Sequence, residues 1–145
     1  MQNKDTVSQL NRFADICRRN QLKITPQRMA IYRELMQSRQ HPTADMMFQK
    51  IRAEFPNISF DTVNRTLLTF AQIGVAEVVE VFGGAKRFDP DISVHHHLHC
   101  TVCGKIIDVQ DDRYVDLEIP DAITRQFTVT GWRVVFKGAC HTCSK

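Results

Sequence analysis

Apolar residues recur at helical spacing through the first 75 residues and alternate with polar ones just beyond. Val7, Leu10, Phe13, Ala14 and Cys17 form one stripe. Thr25-Pro26 supplies an N-cap with proline at the first helical position and predicts a helix to about Ser38. Pro42-Thr43 opens another, with Met47, Ile51 and Phe55 on its buried stripe and Pro56-Asn57 at its end. Ser59 caps a fourth helix whose core face is Val63, Leu67, Phe70 and Ala71, and Gly74 stops it. Residues Val75 to Phe82 then alternate, Gly83-Gly84 turns the chain, and Ala85 to Phe88 returns, the pattern of a β-hairpin.

The fourth helix turns Thr62, Asn64, Arg65, Thr66 and Thr69 away from its apolar stripe, and all of them can donate or accept hydrogen bonds. A short helix, a short turn and a polar-faced helix is the arrangement that lays a recognition helix in the major groove. A hairpin directly after it reads as a wing, on which Lys86 and Arg87 can meet phosphates. The helix pattern alone fits a plain bundle with a solvated face equally well; the appended hairpin favours DNA.

Charge agrees with this division. Residues 1–90 carry a net +4 and residues 91–145 a net −1, so a polyanion partner belongs to the first half. No apolar run is long enough to span a membrane, and the opening Met-Gln-Asn-Lys-Asp lacks a secretory stretch, so a cytoplasmic protein is expected.

Four of the five cysteines stand in two pairs, Cys100-x-x-Cys103 and Cys140-x-x-Cys143, with 36 residues between the pairs. Two such turns closing one loop predict a tetrahedral zinc site, whereas a thioredoxin-like redox centre needs a single motif near a βαβ unit. The fifth, Cys17, reads as a small buried hydrophobe. Immediately ahead of the first pair runs His95-His96-His97-Leu98-His99. On a strand, residues two apart share a face, so His95 and His97 can reach one ion. Asp89 and Asp108 flank this run and can add oxygen ligands.

In this order the segments resemble the ferric uptake regulator family of metal-dependent repressors. The motifs that carry the resemblance are Thr25-Pro26-Gln27-Arg28, His41-Pro42-Thr43-Ala44-Asp45, Thr62-Val63-x-Arg65-Thr66-Leu67 and Arg87-Phe88-Asp89. His95-x-His97, Cys100-x-x-Cys103-Gly104-Lys105-Ile106-Ile107-Asp108 and Gly138-x-Cys140-x-x-Cys143 complete the set. The resemblance implies an α+β chain: a winged-helix DNA-binding domain over residues 1–88, a hinge over 89–94, and a small α/β dimerisation domain over 95–145 holding the Cys₄ zinc. It implies a homodimer on double-stranded DNA with a palindromic operator, no membrane association and no enzymatic turnover.

Within the family the chain looks most like the peroxide-stress regulators. That likeness implies a second site for Fe²⁺ or Mn²⁺ made of His41, Asp89, His95, His97 and Asp108. Iron-sensing relatives usually carry Glu where this chain has Asp108, and often where it has Asp89. Three imidazoles and two carboxylates without a thiolate suit those ions. The likeness further implies that iron and peroxide oxidise His41 or His95 and release the operator, and that manganese does this less readily. An iron-level repressor is the alternative reading. A zinc hydrolase using the histidines lacks a nearby glutamate as general base, the nearest in sequence being Glu80 and Glu118. Two departures stand out: Asn64 replaces a common aromatic, and Trp132 stands where many relatives have a histidine of an additional metal site, leaving His96 and His99 as its remaining nitrogen donors.

Overall fold

The first unit of the computed structural model, which describes residues 2–79 and 84–145, is built on α1 (Gln2–Arg19), α2 (Pro26–Gln37), α3 (Ala44–Glu54) and α4 (Phe60–Gln72). Thr25, Thr43 and Ser59 are extended N-caps whose hydroxyls accept from the N–H groups of Arg28, Met46 and Thr62. Each satisfies a donor that an open helix end leaves unpaired. Gly74 follows α4 at φ +83°, a left-handed conformation that ends the helix without a Cβ penalty.

The apolar stripes meet around an aromatic cluster. Phe13 stacks on Tyr32 at 4.0 Å and meets Phe70 edge-on at 5.4 Å. Cys17, Ile31, Leu35, Met47, Val63 and Leu67 close around it, fully buried, each large side chain contributing about 1.5–3 kcal/mol. Burial pushes the Cys17 thiol pKa up, as suits a core hydrophobe. Several positions depart from the stripe reading. Val7 is 53% exposed, because α1 begins beyond the reach of the core. Phe55 and Ala71 are only half-buried, at the edges of their helices. Thr66 is 6% exposed, and its hydroxyl donates to the Thr62 carbonyl at 2.8 Å. The inward face of α4 is thus wider than its apolar residues alone indicate.

Strands β1 (Glu77–Val79) and β2 (Arg87–Asp89) pair antiparallel, with Val78 opposite Phe88. The expected turn of this hairpin falls largely on Glu80–Gly83, outside the described residues. Phe88 is buried, and its N–H donates to the Pro42 carbonyl at 2.9 Å, tying the wing to the segment that opens α3.

A second unit begins at Ser93. It holds β3 (His96–Cys100), β4 (Ile106–Val109), one helical turn α5 (Asp121–Thr124) and β5 (Val135–Gly138). The strand order is β4-β3-β5, with β3 antiparallel to β4 and parallel to β5. Leu98, Ile107, Val135 and Phe136 are exposed on these strands. No helix among the described residues is long and apolar enough to cross a membrane.

Candidate functional site

The two cysteine pairs are brought together by the parallel pairing of β3 with β5. Cys100 lies opposite Gly138, so the turn after β5 lands beside the turn after β3. The first turn closes through Gly104, whose N–H donates to the Cys100 carbonyl at 2.9 Å with φ +75°. The second closes through the N–H groups of Cys143 and Ser144, both on the Cys140 carbonyl at 2.9 Å. All four sulfurs lie within 4.8 Å of one another, and Cys103 Sγ is 3.9 Å from Cys140 Sγ. Sulfurs about 2.3 Å from one tetrahedral ion stand about 3.8 Å apart, so the cluster fits zinc. The backbone helps hold negative sulfur: N–H groups of Cys103 and then Cys140 draw the Cys100 pKa down to about 6. Cys143 carries the opposing proton, pushed up to about 12 by the sulfur contacts from Cys140 and Cys103. An ion that holds four thiolates replaces that proton.

The predicted regulatory residues form two groups, one in each unit. In the first unit, His41 Nε2 lies 3.2 Å from Asp89 Oδ2, and both side chains are buried. His41 adopts φ +48°, a left-handed conformation for a side chain directly ahead of proline, which costs about 1–3 kcal/mol and persists only where its surroundings impose it. Here they do. Arg87 Nη1 donates to the carbonyls of Gln40 and His41 at 3.3 and 3.2 Å, and the Pro42 carbonyl accepts from β2. On the other side of the pair, the Asp91 N–H donates to Asp89 Oδ1 at 2.9 Å, leaving Oδ2 directed at His41.

In the second unit, strand alternation turns His95 and His97 to one face and His96 to the other. His95 Nε2 and His97 Nε2 are 3.1 Å apart. Asp108 stands opposite His97 on β4, its Oδ1 3.3 Å from His97 Nε2 and 3.5 Å from His95 Nε2. Ligands about 2.1 Å from one ion and at right angles to each other stand about 3.0 Å apart. The three atoms therefore form a face of two imidazoles and one carboxylate, the set that leaves positions open on non-haem iron. Asp108 is the accessible member, its side chain 44% exposed against 0% and 2% for the histidines.

His96 and Trp132 have other work. His96 is fully buried, accepts the Val134 N–H at Nδ1 at 3.0 Å, and meets the Tyr114 ring edge-on. Trp132 Nε1 donates to the Tyr114 carbonyl at 2.8 Å. Both serve packing between β3, the 3₁₀ turn Asp112–Tyr114 and the approach to β5. His99 is half-buried beside the cysteine turns.

On α4, Arg65 is exposed and Thr62 and Asn64 are half-buried. Thr62 is engaged at the cap, its Oγ1 2.9 Å from Ser59 Oγ. Two neighbours escape a search for polar donors. Asp61 holds Arg65 Nε at 2.9 Å, and Phe60 is 45% exposed on the first turn. Lys86 is exposed, whereas Arg87 is half-buried against the His41 segment and does not project freely from the wing.

Comparison with known proteins agrees with this architecture. Residues 19–136 match the model of the ferric uptake regulator family. A peroxide-responsive repressor, PerR, of Staphylococcus aureus is 38% identical over 122 residues, covering 84% of this chain and 82% of that protein. Among solved structures, the ferric uptake regulator of Helicobacter pylori superposes with a TM-score of 0.77 at 24% identity, over 95% of this chain and 93% of that one. The peroxide stress regulator of Campylobacter jejuni gives 0.68 at 26% identity, over 90% and 98%. The chain belongs to the ferric uptake regulator family. It is a metal-responsive transcriptional regulator, not an enzyme, of a family whose members bind DNA and are dimeric.

Proposed function

We propose that this chain is a cytoplasmic, homodimeric repressor that senses peroxide through a regulatory ion, Fe²⁺ or Mn²⁺, held by His41, Asp89, His95, His97 and Asp108. The observation that carries the reading is the right-angle spacing of His95, His97 and Asp108, a sulfur-free face suited to those ions. His41 and Asp89 repeat that spacing at 3.2 Å. One ion shared by both groups restrains the hinge over residues 89–94 and selects the arrangement that fits two operator half-sites. Ion and operator binding are then reciprocally linked, typically by about 1–3 kcal/mol.

Ferrous iron, when bound, supplies electron-transfer chemistry toward peroxide. The chain presents His41 and His95 beside it as acceptors of one oxygen atom, after which a spoiled ligand releases the restraint. Aspartate at 89 and 108, and the named likeness to peroxide-responsive repressors, support this over iron-level sensing. The four cysteines hold zinc as scaffold, the exposed apolar strands of the second unit serve the dimer, and Asn64, Arg65 and Lys86 serve a palindromic operator. The test is operator binding by zinc-replete protein with and without Fe²⁺, before and after low peroxide. Iron-dependent binding abolished by peroxide supports the reading; iron-dependent binding that survives low peroxide supports the iron-level repressor.

A further inference from the structure

The outward face of α4 carries one large apolar group among its polar ones. Phe60 is the first residue of the helix and is 45% exposed, with Asn64 and Arg65 on the next turn. Phe60 and Asn64 are four residues apart, as are Asp61 and Arg65, so the two pairs run side by side along the helix. Every other described aromatic ring of the first unit is buried or half-buried. The exposed ring is nonetheless held. Phe48 of α3 meets it edge-on, with centroids 6.0 Å apart and planes at 88°. Arg52, one turn further along α3, sets its guanidinium over the Phe48 ring at 5.6 Å. Holding the ring in this way lowers the side-chain entropy that a contact would cost.

This first turn is not built for a phosphate. A helix N-terminus attracts anions through its free N–H groups. Here the Ser59 hydroxyl takes the Thr62 N–H at 3.1 Å, and the Asp61 carboxylate, paired with Arg65, adds negative charge. What the turn presents instead is apolar area. A recognition helix sets its N-terminal residues against base edges, and the apolar group on a base edge in the major groove is the 5-methyl of thymine. We propose that Phe60 is a specificity-determining residue that packs against a thymine methyl in each operator half-site, one helical turn from Asn64.

This inference rests on the proposed operator-binding role of α4, and the probe separates it from a packing role. If Phe60 only covered Phe48, its loss would loosen the fold and weaken every duplex alike. The experiment selects the tightest duplex from a random pool with wild-type protein replete in zinc and Mn²⁺. Each thymine of that duplex is then replaced in turn by deoxyuridine, which lacks only the methyl. Wild-type affinity is expected to fall about fourfold at one thymine position of each half-site, the worth of one buried methyl group. Phe60→Ala protein is expected not to distinguish thymine from deoxyuridine at that position, while its response at the others matches wild type. Wild-type protein indifferent to deoxyuridine throughout, or Phe60→Ala protein with the wild-type profile, overturns the inference. Arg65→Ala protein that binds the selected duplex as tightly as wild type overturns the operator role of α4, and the inference with it.

Discussion

His97 and Asp108 face each other across the β3–β4 ladder, with His97 Nε2 3.3 Å from Asp108 Oδ1. The register of one antiparallel pair therefore sets the spacing of an imidazole and a carboxylate without any loop. A one-residue slip would send Asp108 to the opposite face. Asp108→Ala and His97→Ala are each expected to weaken the regulatory ion by more than about 100-fold, since even partners that only orient ligands are worth 10–100-fold. The cysteine-bound zinc and the circular dichroism spectrum are expected to stay unchanged. Parallel titrations of Mn²⁺ and zinc content check this.

The cysteine cluster makes the contrasting case. Cys100 and Cys140 close turns at the ends of two adjacent strands, and the Cys140 N–H approaches Cys100 Sγ at 3.3 Å. Metal there ties β3 to β5, so its binding energy is folding energy of the second unit. Cys143→Ser or Cys100→Ser is expected to lose zinc and the dimer together, seen as a monomer-sized species in sedimentation. A zinc-free protein that remained a folded dimer would remove the scaffold role.

Lys86 and Arg87 are neighbours in sequence with different environments. Lys86 is exposed, while Arg87 grips the carbonyls of Gln40 and His41. Lys86→Ala is expected to weaken operator binding uniformly and lower the salt slope by about 1, as for one lost phosphate contact. Arg87→Met is expected instead to release the left-handed His41 segment and weaken the regulatory ion. Salt-dependent operator binding and Mn²⁺ titration of the two variants separate these effects.

On α4, Asp61 holds Arg65 in an exposed pair that contributes little to stability. Its weight falls on recognition, because a carboxylate near phosphates opposes binding and competes for the arginine. Asp61→Asn is expected to strengthen binding to operator and unrelated DNA alike at low salt, whereas Arg65→Ala weakens operator binding with both metals retained. Equal affinities for wild-type and Asp61→Asn protein would place α4 away from DNA.

Much of this was readable before any coordinates. The caps Thr25, Thr43 and Ser59 announce their helices because a hydroxyl three residues ahead of a free N–H is a local signal. The cysteine spacing is equally local. Pairing partners are not: Asp108 reads in sequence only as a possible oxygen ligand, and nothing near it states that it stands opposite His97. Thr66 reads as polar surface but is buried, its hydroxyl satisfied by the Thr62 carbonyl of its own helix. Arg87 reads as a phosphate contact because its partners are backbone carbonyls 46 and 47 residues away, which carry no sequence mark.

The central claim is that a ligating histidine is the peroxide target and that its oxidation ends repression. Zinc-replete protein loaded with Fe²⁺ is treated with a low dose of peroxide, and its peptides are weighed while operator binding is followed in the same sample. One added oxygen on the peptide bearing His41 or His95, rising in step with loss of operator binding and absent when Mn²⁺ replaces iron, is the expected result. Operator binding lost with both peptides unmodified, or both peptides oxidised with binding intact, would contradict it.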